Sequence, residues 1–461
     1  MTAPQQPAPV ATAVLHGVTA ELVYVTMAPT AASWHNLPSR AREASVRVRA
    51  AIEASGYTAA AKHAPATDVT LAADLALAVS TLVGDGVIHP TDIAGVAFIG
   101  ELGLDGSIRA TRGTLAAVEA AAAAGLRAVV IPTVAQGEVA GLVPNIIIYT
   151  ASRLADVITE FATTPGTLGQ AWTVRPSPAP DWDLADVRGL PGPRWALEVA
   201  AAGGHDLAFV GPPGIGKTML ARRLPSILPP MTLPEVTDVT RVYSAVGFVG
   251  ARVEHRPFRA PHHTASMAAL CGTQGVTGRP GETALATHGV LLLDEATEFA
   301  RGAVEAVLAH RTTAQIVVSA NPCPCGWYGT AIRECACLVA SRQRYVQRLA
   351  PIIDRCAITV AMPSVALSDL RNAAPGESSA VVRARVVAAR AIQALRGQLN
   401  ATLPEAALRA ACPGCDAVST RTLCVARTIA DLQGGGAVTA DHLAQAAALT
   451  FRFVVPAEAA S

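Results

Sequence analysis

The sequence predicts an α/β chain: a P-loop nucleotide core at residues 186–365, a smaller α/β domain before it at 1–165, a linker at 166–185, and a helical region at 366–461. Three observations predict it. A glycine-rich turn, Gly211-Pro212-Pro213-Gly214-Ile215-Gly216-Lys217-Thr218, stands between an apolar run at 207–210 and a helix-forming run at 219–224. A second apolar run, at 290–293, ends in Asp294-Glu295. Strand and helix patterns alternate ahead of the turn, whereas beyond Glu377 only helical patterns remain.

Composition narrows the class. At 461 residues the chain can hold two or three domains. Charged residues make up 15%, below the usual share of about a quarter. Alanine inflates the apolar fraction, and no unbroken apolar stretch reaches the roughly 20 residues that a bilayer needs, so no membrane partner is expected. The first ten residues lack a basic segment followed by an apolar one, and a cytoplasmic location is the expectation. With a net charge of +1, any surface for nucleic acid must be local. Nine cysteines without a secretory signal point to thiols or metal ligands more than to disulfides.

In chain order, residues 22–25 read as a strand and 37–54 as a helix with Ala41, Ala44, Val48 and Ile52 at apolar positions. The arginines at 40, 42, 47 and 49 between them are a solvated face or a surface for DNA. Helices are expected at 71–82 and 115–125, and strands at 95–99, 129–131 and 146–148. Glu101 and Asp105 flank a turn with no histidine or lysine beside them, which suits structural or surface roles. The stretch 163–183, rich in Pro, Thr and Gly, marks the boundary.

The turn at 211–218 has what a phosphate chain requires. Its glycines let backbone N–H groups converge on phosphate oxygens, and the following helix adds its N-terminal partial charge. Lys217 can reach the β and γ phosphates, and Thr218 can place its hydroxyl on Mg²⁺. Asp294 is expected to hold that Mg²⁺ and Glu295 to polarise the attacking water. Asn321 ends the apolar run 315–319, in reach of the γ-phosphate or the water. Arg355 follows Ile352-Ile353-Asp354; it suits either a trans role on a neighbour's nucleotide, within a ring, or an Asp-Arg structural pair.

Cys323, Cys325, Cys335 and Cys337 form two C-x-C pairs, able to surround one tetrahedral Zn²⁺ or to remain four reduced thiols. Cys412 and Cys415 have the spacing of half a site, without a second half; Cys271, Cys356 and Cys424 read as small apolar residues. Helices are expected at 377–399, 403–411, 423–432 and 439–449, with Arg421 and Arg427 as candidates to reach the nucleotide.

Several stretches together resemble the magnesium-chelatase-like AAA+ ATPases of the YifB/ComM group. They include Gly100-Glu101-Leu102-Gly103-Leu104-Asp105-Gly106, Ala200-Ala201-Ala202-Gly203-Gly204-His205, the 211–218 turn with Met219-Leu220-Ala221-Arg222-Arg223-Leu224-Pro225, and Arg256-Pro257-Phe258-Arg259-Ala260-Pro261-His262-His263-Thr264. Asn321-Pro322-Cys323-Pro324-Cys325-Gly326 and Val425-Ala426-Arg427-Thr428-Ile429-Ala430-Asp431-Leu432 match as well.

The resemblance implies an N-terminal ribosomal-S5-domain-2-like (Lon-protease-like) domain, an AAA+ core and a C-terminal helical lid. It implies ATP and Mg²⁺ as ligands, a ring of copies, expected to be a hexamer, and, in the ComM branch, a DNA helicase for branch migration in natural transformation. Single-stranded or branched DNA and recombination proteins are then the expected partners. By the same resemblance Lys217, Thr218, Asp294 and Glu295 are the ATPase residues, Asn321 is sensor one and Arg355 the trans arginine, and the paired cysteines stand where the family has its own. His262 and His263 match a family stretch; interface, DNA-facing and core roles all stay open. The protease chemistry of the Lon-like fold is not expected, because Arg112-Gly113-Thr114-Leu115 lacks the lysine of a Ser-Lys dyad.

The chain also departs from the family. The interval from Glu298 to Asn321 is short where relatives carry a pore-facing hairpin, and 412–423 is compressed where they supply a second sensor, leaving Arg421 as its remnant. The N-terminal domain is trimmed near 30–37 and 57–70. A motor acting on DNA, a remodelling ATPase acting on a protein, and an ATP-binding relic with little turnover are the three expectations.

Overall fold

The computed structural model describes residues 9–29, 39–58, 63–65, 73–169, 180–273, 275, 278–309, 313–330, 333–363 and 373–450. Much of the linker, parts of the trimmed stretches and the first residue or two of the expected helix at 37–54 lie outside them. The chain forms two compact units. One comprises residues 1–178 with 232–254 and 273–280; the other comprises 179–231, 255–272 and 281–461.

The first unit is built on a five-stranded sheet of β1 (Val10–His16), β2 (Thr19–Val25), β3 (Val96–Phe98), β4 (Ala128–Pro132) and β5 (Ile147–Ala151), in the order β2-β1-β3-β4-β5. The β1–β2 pair is antiparallel and the other pairs are parallel. Helices α1 (Ser39–Ala54), α2 (Asp74–Gly84) and α3 (Thr114–Ala123) belong to this unit. Two arginines of the basic face of α1 are paired: Arg47 with buried Asp74 at 2.7 Å and Arg49 with Glu53 at 2.9 Å. Asp105 accepts hydrogen bonds from the backbone and hydroxyl of Ser107, a turn-closing role.

A helix at Leu233–Val246, which sequence patterning missed, belongs to this unit although it lies inside the expected nucleotide core in sequence. It starts at a capping box, Thr232 with Glu235, and ends at left-handed Gly247. Arg241 on this helix grips Glu119 of α3 with two bonds of 2.7 and 2.9 Å.

The second unit carries a fully parallel sheet of β6 (Leu207–Val210), β7 (Phe258–Arg259), β8 (Val290–Leu293), β9 (Gln315–Ala320) and β10 (Ile358–Ala361), in the order β7-β8-β9-β6-β10. β6 and β8 are continuous buried apolar runs, as strands covered on both faces must be, while β9 and β10 carry buried Gln315, Ser319 and Thr359 among their apolar residues and β10 ends at exposed Ala361. Around them stand α4 (Pro191–Gly203), α5 (Lys217–Ile227), α6 (Val339–Ile353), α7 (Ser379–Ala394) and α8 (Thr420–Leu432). The expected long helix at 377–399 is shorter, because the chain turns at left-handed Gly397 into a single turn at Asn400–Thr402.

Val382 and Val386 of α7 and Ala426 and Ile429 of α8 share one buried cluster with Phe209, Leu292 and Val317 of the sheet. A polar network crosses the same region. His205, fully buried, meets Thr428 at 2.7 Å, Asn400 donates to Thr428 and Asp431, and Gln315 donates to the carbonyls of Ala200 and His205. Cys412 and Cys415 are joined as a disulfide, which corrects the expectation of thiols or half a metal site there. Among the described residues no helix is long and apolar enough to cross a membrane.

Candidate nucleotide site

A parallel sheet opens its ligand crevice at the carboxyl ends of its strands, where neighbouring connections diverge. Here β9 lies between the P-loop strand β6 and the acidic strand β8. Gly211, Asn321 and Asp294 therefore emerge side by side, with the asparagine in the middle.

The turn after β6 is close-packed. A side chain at Gly211 would collide with Met362, and Gly214 and Gly216 hold left-handed conformations that favour glycine. Lys217 then opens α5. Its buried ammonium donates to the carbonyls of Gly211 (2.7 Å) and Pro212 (2.9 Å) and to Asn321 Oδ1 (3.0 Å). Burial pushes its pKa down to about 8, while Asp294 and Glu295 pull it upward. These oxygens hold the lysine in the position from which a phosphate chain would take it over.

Thr218 donates its hydroxyl to Asp294 Oδ2 at 2.7 Å, and Ser319 donates to the other carboxylate oxygen. A hydroxyl and a carboxylate meeting in this way suit a hard, oxygen-seeking cation such as Mg²⁺. Glu295 has a left-handed backbone, φ 52°, uncommon for a residue with a side chain. The turn is closed by Ala296 N–H to Ser319 C=O (3.0 Å) and Glu298 N–H to Glu295 C=O (2.7 Å), and Glu295 lines the crevice.

The crevice is a cavity of about 790 Å³, lined by residues 213–219 with Asp294, Glu295 and Asn321. That is ample for a nucleotide. It is also lined by Asp186, Arg188, Arg222 and Arg223, which the sequence reading did not assign. Arg222 and Arg223 follow Thr218 and Met219 by four residues, so helical periodicity could have found them.

Arg355 and Arg421 lie elsewhere. Ile358, the first residue of β10, pairs with Leu207, the first of β6, which marks the amino edge of the sheet. Arg421 donates there to Ala357 C=O and Thr359 Oγ1, both at 2.8 Å, and Arg355 donates to Leu308 C=O. The four residues of β6 separate this edge from the P-loop, about 13 Å at the usual rise per residue. Neither Arg355 nor Arg421, the latter expected to bind the nucleotide, lines the nucleotide cavity of its own chain. Arg427, the other candidate, is buried and bound to Asp431.

Next to Asn321, the four cysteines converge. Cys323 Sγ lies 3.4 Å from that of Cys325 and 3.7 Å from that of Cys335, Cys325 and Cys335 are 3.6 Å apart, and all four sulfurs fall within 4.8 Å. A tetrahedral ion with metal–sulfur bonds of about 2.3 Å has sulfur–sulfur edges of about 3.8 Å, so the cluster fits a metal. The N–H groups of Tyr328 and Cys325 point at Cys323 and Cys337, both at 3.3 Å, as donors that favour thiolates.

Comparison with known proteins agrees with this geometry. The family models described as "Magnesium chelatase, subunit ChlI", "Subunit ChlI of Mg-chelatase" and "Magnesium chelatase, subunit ChlI C-terminal" match residues 183–310 with 304–370, 30–135 and 376–452. The first match breaks into two pieces that meet in the shortened interval. The chain is 35% identical to the competence protein ComM of Haemophilus influenzae, over 81% of each chain. It is 33% identical to the uncharacterized protein YifB of Escherichia coli over 88% of each, and 37% identical to an uncharacterized protein of Mycobacterium tuberculosis over 78% of this chain and 76% of that one. The chain belongs to the magnesium-chelatase-like AAA+ ATPases of the ComM/YifB family, ATP-hydrolysing enzymes that bind ATP and Mg²⁺.

Proposed function

We propose that this protein is a ring-forming motor that spends ATP on moving single-stranded or branched DNA, alongside recombination proteins in the cytoplasm. The observation that carries it is the similarity to a competence protein along 81% of both chains. Residues 211–217 bind the phosphates, with Lys217 leaving its carbonyl partners for them. Thr218 and Asp294 would hold Mg²⁺, which supplies positive charge against the transferred phosphoryl group. Glu295 orients the attacking water, and Asn321, already bonded to Lys217, senses the γ-phosphate. Arg355 sits on the opposite edge of the sheet from its own P-loop, so its role is in trans, on the nucleotide of a neighbouring copy in a hexamer. The N-terminal S5-domain-2-like unit is a binding module, the C-terminal helices form the lid, and the four cysteines hold Zn²⁺.

A second reading, remodelling of a protein partner, is favoured by one observation. Only five residues, 310–314, separate the helix Arg301–Ala309 from β9, where the family resemblance implies a longer run with a pore-facing hairpin. ATPase activity measured at low salt with and without forked DNA separates the two. Stimulation by DNA that fades with added salt supports the DNA motor; equal rates with and without DNA overturn it.

A further inference from the structure

The four-cysteine cluster is tied to the nucleotide site at three places. Asn321 leads through Pro322 directly into buried Cys323. Gly326, at φ 85°, lies against the P-loop: a Cβ there would fall 2.8 Å from the Pro213 ring and 3.8 Å from Asn321. Beyond Cys337 the chain enters α6, whose Tyr345 accepts a hydrogen bond at 2.9 Å from Thr297 Oγ1, in the turn that follows Glu295. The Tyr328 ring, between the two cysteine pairs, stacks against the Arg342 guanidinium of α6 at 4.6 Å. The sulfurs thus close a loop whose start and middle lie against Asn321 and Pro213 of the crevice and whose far end is bonded to the turn after Glu295. Nothing in ATP binding alone requires such a clamp, because the P-loop is already closed by its own lysine.

We propose that the four-cysteine cluster, with a metal on its sulfurs, is a positioning element that fixes Asn321 and Pro213, setting the rate of hydrolysis rather than the affinity for nucleotide. This rests on the reading of the crevice as the ATP site and is independent of DNA. A metal held between Asn321 and α6 makes the sensor rigid; without it, Asn321 ends a strand and leads into an unsupported loop.

Three measurements on the full chain test it, all without DNA. In the first, Co²⁺ replaces the native metal and its thiolate absorption bands are recorded. They should shift when a non-hydrolysable ATP analogue binds and stay unchanged in Lys217→Ala; a tetrahedral Co²⁺ spectrum indifferent to saturating analogue overturns the proposal. In the second, Cys335→Ser/Cys337→Ser should lose its metal and drop kcat about tenfold or more while the analogue's Kd stays within about threefold. Wild-type kcat without metal, or loss of nucleotide binding together with the fold, overturns the positioning role. In the third, Gly326→Ala keeps all four sulfurs, and it should retain metal yet lower kcat; an unchanged kcat removes the Pro213 contact as the link.

Discussion

Lys217 and Asn321 are bonded across adjacent strands, Nζ to Oδ1 at 3.0 Å, so the phosphate-gripping residue and the proposed sensor form one unit before nucleotide arrives. Replacing Asn321 with Ala should leave Lys217 on its two carbonyls and able to receive phosphate. The expected result is a kcat about ten- to a hundredfold lower with ATP affinity changed by less than about fivefold, by steady-state kinetics and equilibrium binding.

Lys217 titrates near 8 in the free protein because burial works against its charge. ATP binds the charged form, so its phosphates should raise that pKa and binding should take up a proton near pH 8. Apparent affinity should weaken as pH rises above about 8, by up to about tenfold per unit. Calorimetry in buffers of different ionisation enthalpy would show the uptake, and Lys217→Ala should abolish it.

Glu295 has the left-handed turn that brings its carboxylate to the crevice. Glu295→Gln should keep the fold and bind ATP within a few-fold of the wild type while turnover falls by about a hundredfold or more. A stable ATP-bound state after gel filtration would confirm the split.

The amino edge of the sheet should separate two arginines by phenotype. Arg421→Ala removes two hydrogen bonds to the backbone and side chain near β10, and should cost about 1–3 kcal/mol of stability with nucleotide affinity intact. Arg355→Ala should be stable but inactive, and should regain turnover when mixed with Lys217→Ala, since each would supply the half-site that the other lacks.

His205 is neutral in the fold: its Nε2 meets Thr428, its Nδ1 has no partner among the described residues, and Arg390 adds repulsion to the burial that depresses its pKa to about 3. The unfolded chain protonates first, near 6.5. Stability should therefore fall as pH drops through the window from about 6.5 to about 3, by about 1.4 kcal/mol per pH unit at its steepest. Thermal melts of His205→Gln should show a shallower loss between pH 7 and 5 than the wild type.

The nucleotide crevice was legible because its chemistry is local. Residues 211–218 carry strand, turn and helix in one run, and Asp294-Glu295 ends a strand whose apolar character is unmistakable. Asn321 could be placed at a strand end, but its bond to Lys217 depends on β9 being the neighbour of β6, and sheet order is not written in any one segment. The strand Val10–His16 went unread because its alanines blur the alternation. The helix Leu233–Val246 could have been read from its capping box and terminal glycine, yet its membership of the first unit depends on long-range pairs such as Arg241 with Glu119. Arg421 was placed by its neighbours in sequence, whereas strand direction decides which edge of the sheet it meets.

Phe209 and Leu292 share a buried cluster with Ala426 and Ile429, and His205 is bonded to Thr428 across the same seam. The strands that present the P-loop and the helices near the C-terminus are thus layers of one folding unit. A C-terminal truncation would strip one wall from the sheet and leave Gln315 and His205 beside solvent. Amide hydrogens of residues 420–432 should then slow their exchange when ATP binds, about 200 residues away in sequence, because opening either layer exposes the other.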